Sequence, residues 1–234
     1  LVEAKKSISK IPVYLYISRE TVGTFLFILI TIMANASVAK IGSVGAVLAT
    51  GIASAFVSTL FGAVCNPIIL LARWVMRRST YPGAIHLTVL TFLITVLMQF
   101  VAGMLAAVAA RWAFTLDVSI AVPDIVSIPL GSAVAIELVF SAVIVAAFVV
   151  QFPEDRITEY VMFTASAIMA SAFASITYVG ACFNPVYHLS TNTVSVALKH
   201  FSPTCWVFYV IPPIGAFIAA VMVRFTAYSP ASSA

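Results

Sequence analysis

Charge is what this chain has least of. Of its 234 residues only 9% are Asp, Glu, Lys or Arg, against 62% hydrophobic. A compact soluble domain carries about a quarter of its residues as charges, so a water-soluble enzyme is excluded. The mean hydropathy of +1.12 requires most of the outer surface to face lipid, and the chain reads as a polytopic membrane protein with the bilayer as its first partner. Its surplus of four positive charges would suggest nucleic acid in a soluble chain. Here the basic residues belong in loops at the membrane surface, and no nucleic-acid partner is expected. Cysteine is scarce as well. Cys65, Cys182 and Cys205 stand in apolar surroundings without CxxC or Cys/His spacing, which excludes a disulfide framework and a zinc site. The sequence also lacks a phosphate loop, a nucleophile paired with a base, and a metal cluster, so neither catalysis nor a cofactor is expected. The first 18 residues carry Lys5, Lys6 and Lys10 without a cleavable signal pattern and read as an interfacial N-terminal arm.

A spanning helix needs about 20 mainly apolar residues, and six such runs are present. They cover about Arg19 to Ala39, Ile41 to Phe61, Gly83 to Ala110, Ile128 to Phe152, a run opening at Tyr160, and Cys205 to Val223. Two uncharged stretches, Ile41 to Ala72 and Tyr160 to Leu198, are too long for one crossing and too short for two, so each holds an extra half-crossing. With six crossings both termini share a side. That side collects Lys5, Lys6, Lys10, Arg19, Arg73, Arg77, Arg78, Arg156 and Arg224, and the opposite one Lys40, Arg111 and Lys199. The asymmetry places the termini in the cytoplasm.

The two overlong stretches repeat one pattern, Gly62-Ala63-Val64-Cys65-Asn66-Pro67-Ile68 and Gly180-Ala181-Cys182-Phe183-Asn184-Pro185-Val186, at an offset of 118 residues. Each copy also follows an intramembrane glutamate: Glu20 lies 46 residues before Asn66, and Glu137 lies 47 before Asn184. The duplication therefore spans half-domains, about 19–111 and 128–225 within a transmembrane domain 19–225, followed by a tail 226–234. Three crossings per half is an odd number, so the second half enters the membrane inverted.

Proline suits the first helical position because its missing N–H has no partner there to lose, and asparagine before it can cap the free N–H groups. Asn-Pro within an apolar run therefore predicts a helix start. Irregular backbone at membrane depth persists only where it is buried or lines a wet cavity, so the loops ending at Asn66 and Asn184 are expected to meet at the centre. Two helix N-termini facing each other, each worth about half a positive charge, would oppose cations and protons and leave neutral solutes unaffected. The asparagine amides would donate hydrogen bonds to a passing molecule.

These residues resemble the aquaporin (major intrinsic protein) family over about 19–225. Besides the paired motifs, Glu20-Thr21-Val22-Gly23-Thr24-Phe25 is similar to its first-helix signature. Gln99 with Gly103 matches its third-helix pattern, Glu137-Leu138-Val139-Phe140-Ser141 its fourth, and Trp206 to Gly215 its sixth. The resemblance implies an all-α membrane fold of six transmembrane helices and two re-entrant half-helices in an inverted repeat. It further implies pores in a homotetramer and a constriction at Asn66, Pro67, Ile68, Asn184, Pro185 and Val186. The family's third motif residue is usually Ala, so Ile68 and Val186 are expected to add bulk at the midplane. After the second motif the family usually carries an arginine in its outer filter, and here Tyr187 stands there. The remaining filter positions carry over to Ala172, Ala181 and either Thr50 or Ala46, according to how the first loop is aligned. Such a filter is broad if the Tyr187 ring swings aside and shut if it lies across.

The leading expectation is a passive channel for water or small uncharged solutes such as glycerol, urea, ammonia or hydrogen peroxide. A second reading is a non-conducting aquaporin-like subunit of a larger membrane complex, motivated by Ile68, Val186 and Tyr187. An ion-coupled transporter is disfavoured, because no acid and base are recognisable at one intramembrane site. Glu20 and Glu137 are expected to be structural acids accepting hydrogen bonds from backbone N–H groups of the re-entrant loops. His188, one residue past the filter position, would either line the outer mouth or pack within the protein. Cys65 and Cys182 lie close enough to the constriction to meet a mercurial in a wet pore. Gly23, Gly51, Gly62, Gly180 and Gly215 are read as sites of close helix packing.

Overall fold

The computed structural model describes residues 11–76, 87–125, 128–150, 156–180, 182–196 and 202–226. Among these residues the only regular structure is helical. Six helices are long and apolar enough to cross a membrane. They are α1 (Val13–Ala36), α2 (Val38–Phe61), α4 (Val89–Trp112), α5 (Leu130–Val149), α6 (Ile157–Val179) and α8 (Val207–Thr226); two shorter ones, α3 (Pro67–Met76) and α7 (Pro185–Val196), begin at the Asn-Pro prolines. A 24-residue helix rises about 36 Å, enough for a hydrocarbon core of about 30 Å. The outward side chains are those lipid requires: Leu90, Leu97 and Phe225 are 67%, 62% and 82% exposed. The face on which α1 begins and α8 ends is called the near face below, and its opposite the far face.

The first crossing starts at Val13, behind Pro12, six residues ahead of Arg19. A single long basic residue near a helix end can reach the interface along its own stem, so Arg19 does not mark the end of the span. Gly42, at φ 70°, breaks α2 near its start, and a short 3₁₀ turn, Val118–Ala121, lies on the far side.

The duplication is visible in the packing. α1 lies against α2 and α4, and α5 correspondingly against α6 and α8; the half-helices cross over, α3 onto α8 of the other half and α7 onto α4. Apolar burial drives little helix association where lipid is the solvent, so close backbone approach carries the contact. A Cβ on Gly103 would collide with Val186 and Ser190 of α7, and one on Gly215 would come within 2.7 Å of the Leu138 carbonyl. Gly23 and Gly51 are crowded in the same way, by Ala63 and Met169. Gly62 and Gly180 are left-handed residues that end α2 and α6 and turn the chain into the re-entrant loops; Gly180 is crowded as well, by the Pro123 backbone at 2.9 Å.

Candidate functional site

Each re-entrant loop has to stop one helix, turn back and start another without water to satisfy its backbone. After the left-handed glycine, each loop places a second left-handed residue just before its asparagine, Cys65 at φ 54° and Phe183 at φ 42°. Such a conformation costs a non-glycine residue about 1–3 kcal/mol, and the contacts it makes possible offset that cost. The Asn66 Oδ1 accepts from Ile68 N at 3.2 Å, and the Asn184 Oδ1 from Val186 N at 3.0 Å, so both asparagines cap their own half-helix. Their amides cross the midplane. Asn66 Nδ2 donates to the Phe183 carbonyl and Asn184 Nδ2 to the Cys65 carbonyl, each at 2.9 Å. A primary amide has two N–H donors, so this reciprocal clasp uses one of each pair and leaves the other outside it.

Beside the clasp lies a cavity of about 60 Å³, room for about two to four waters. Asn66 and Asn184 line it, with Cys65 and Cys182 next to them. Thr50, Ser54 and Ser58 form a polar stripe along α2, and Thr31 on α1 adds a hydroxyl that lacks a partner among the described residues. Among the described residues no Asp, Glu, Lys or Arg belongs to the lining. Thr50, Ala172 and Tyr187 all face this space, whereas Ala46 is fully buried and does not. Ala181 lies outside the described residues. Tyr187 has a defined position at the far end: its hydroxyl donates to the Ala121 carbonyl and accepts from Asn35 Nδ2, both at 2.7 Å.

The expected bulk of Ile68 and Val186 does not enter the cavity. Ile68, with Pro67 and Pro185, lines an apolar groove on another side of the protein, and Val186 packs on Gly103. The reason is rotational. The second residue after each asparagine lies about 200° round the helix, while the third, Ile69 or Tyr187, returns towards the side of the cap and lines the cavity. Ile69 and Tyr187 are themselves 118 residues apart, the offset of the repeat.

The two buried glutamates are not equivalent. Glu20 accepts from Val64 N at 3.0 Å, Cys65 N at 3.3 Å and Gln99 Nε2 at 3.0 Å. Glu137 is fully buried, and although the Phe183 N–H approaches it, neither carboxyl oxygen closes a hydrogen bond among the described residues. The second loop's glutamate thus faces one loop N–H, that of Phe183, where the first loop's accepts two. His188 turns away from the cavity. Its ring stacks on Phe208 with centroids 4.4 Å apart, and its Nδ1 is 2.7 Å from the Tyr209 hydroxyl. Arg73, assigned above to the membrane surface, is only 5% exposed and lies within electrostatic reach of Glu20, with Tyr16 and Tyr160 also beside it. An acid and a base thus share one buried region, with no ion pair between them among the described residues.

Sequence reasoning missed Thr31, Ser54, Ser58 and this use of Arg73. The serines were legible, since Thr50, Ser54 and Ser58 recur at i, i+4 and i+8 in an otherwise apolar helix. The burial of Arg73 was not, because a basic residue in the last turn of a helix also suits an interface.

No family profile matches the chain, and no curated protein matches it by sequence. Among solved structures it is similar to the X-ray structure of the aquaglyceroporin from Plasmodium falciparum, with TM-score 0.77 at 15% identity over 92% of this chain and 97% of that one. The fold is aquaporin-like.

Proposed function

We propose that the chain is a passive channel of the aquaporin kind, conducting water and small uncharged solutes such as glycerol, urea, ammonia or hydrogen peroxide. The observation that carries this is the midplane cavity, uncharged in its lining yet furnished with hydrogen-bonding groups, set where two half-helices begin. A neutral molecule entering it trades water for the spare amide donors of Asn66 and Asn184 and for the hydroxyls of α2. A cation has no carboxylate to replace its hydration and meets two helix N-termini. The path makes and breaks no bond, so the chain is proposed to be no enzyme and to need no cofactor. The channel domain, expected from residue 19, starts with α1 at Val13 and runs to 225, with an arm before it and a 226–234 tail. The basic asymmetry supports cytoplasmic termini, and the family resemblance supports a homotetramer.

A specific observation favours a second reading. Tyr187 is pinned at the far end of a cavity that holds only a few waters, as suits a non-conducting subunit of a membrane complex. Stopped-flow light scattering on proteoliposomes separates the two. Osmotic water and glycerol permeability above empty vesicles, abolished by Asn184→Leu, supports the channel. Permeability equal to empty vesicles, in the parent and in Tyr187→Ala, sinks it and favours the subunit.

A further inference from the structure

The cavity has a second end. On the near side its lining stops at Ile69 of α3, Ile144 of α5 and Ile168 of α6. Residues four apart on a helix share a face and sit about one turn apart. Four residues beyond Ile69 stands Arg73, four beyond Ile144 stands Phe148, and two turns back from Ile168 stands Tyr160. All three run towards the near face and converge: Arg73 Nη2 donates to the Tyr160 hydroxyl at 3.1 Å, and that hydroxyl donates to the Phe148 carbonyl at 3.1 Å. The Phe148 and Tyr160 rings meet edge to face at 6.4 Å. Arg73, Phe148 and Tyr160 are 5%, 2% and 3% exposed.

Two further facts bear on Arg73. Its Nε–H is buried without a hydrogen-bond partner among the described residues, a donor available to a passing oxygen. Its charge stays on at any physiological pH and stands within reach of Glu20. The guanidinium places a fixed positive charge one helical turn beyond the near-side lining at Ile69.

We propose that Arg73 is a selectivity residue of the permeation path. With Tyr160 and Phe148 it forms a second constriction, on the near side. There its Nε–H hydrogen-bonds the oxygen of a passing water, hydroxyl or carbonyl group, and its positive charge repels cations. This rests on the channel reading above.

The test uses full-length protein in liposomes, in a Tyr187→Ala background so that the far end does not limit flux. Water and glycerol are read by light scattering and K⁺ by an enclosed potassium dye, each variant first giving a monodisperse peak in detergent. Arg73→Gln keeps a polar side chain and removes the charge; it is expected to raise K⁺ leak on the order of tenfold, the effect of about 1.4 kcal/mol, and Arg73→Lys to suppress most of that rise. Tyr160→Phe keeps the charge and frees the guanidinium from its anchor, so it is expected to change the glycerol-to-water ratio at least about twofold. Conduction by Tyr187→Ala with neither change overturns this proposal alone. Fluxes at the level of empty vesicles in every protein overturn the channel reading and this proposal with it.

Discussion

Removing one oxygen atom, by Tyr187→Phe, tests what holds the far end of the cavity. The ring keeps its size, so any effect belongs to the two 2.7 Å hydrogen bonds that its hydroxyl makes with Ala121 and Asn35. A buried hydrogen bond contributes about 0.5–1.5 kcal/mol net, so the pair favours the observed position by roughly 1–3 kcal/mol. If that position limits flux, its loss shifts the balance towards an open ring by about 5- to 150-fold. Osmotic permeability measured by stopped flow should rise accordingly, by about 30-fold at the middle of the range, and Tyr187→Ala should rise at least as far. The reasoning is refuted if Tyr187→Phe leaves permeability unchanged while Tyr187→Ala raises it. Ring packing, and not the hydroxyl, would then hold the position.

Three other substitutions follow from the same geometry. Glu20→Gln removes a charged acceptor of three hydrogen bonds and should lower stability in detergent by about 1.5–3 kcal/mol. Glu137→Gln, at a carboxyl approached by a single loop N–H, should cost less, and equal thermal shifts for the two would contradict the asymmetry. Gly103→Ala drives a methyl into Val186 and Ser190 and should destabilise by about 1–3 kcal/mol, seen as an earlier loss of the monodisperse peak on heating. Cys65 and Cys182 line the cavity, whereas Cys205 does not. Mercurial block of flux should therefore survive Cys205→Ser and disappear in a Cys65→Ser, Cys182→Ser double variant; persistence there would place the reactive thiol elsewhere.

Axial order was the legible part of this fold. Uncharged length sets the number of crossings, and Asn66-Pro67 and Asn184-Pro185 set where the half-helices begin, because capping and the missing proline N–H act locally. Rotation about each helix axis was harder to read. The outward placement of Ile68 and Val186 follows from 3.6 residues per turn only once the direction of the cavity is known. Position along the normal blurred wherever a long side chain could reach the interface, which is why Arg19 marks no helix start and Arg73 could be buried unnoticed. The rotamer of Tyr187 depends on Asn35 and Ala121, 152 and 66 residues away in the chain, and local pattern carries no information about either contact.

The clasp also sets a timetable for biogenesis. Asn66 finds its acceptor on Phe183, 117 residues later in the chain, and at a synthesis rate of about 5–20 residues per second that acceptor emerges roughly 6–23 s after the donor. Over that interval the first half-helix has neither its partner carbonyl nor α8 to lie against. An unsatisfied amide is costly in hydrocarbon, so the nascent first loop is expected to wait at the water interface or inside the insertion machinery. On that schedule the halves lock together late and mutually, and an N-terminal half released early would be a substrate for membrane quality control.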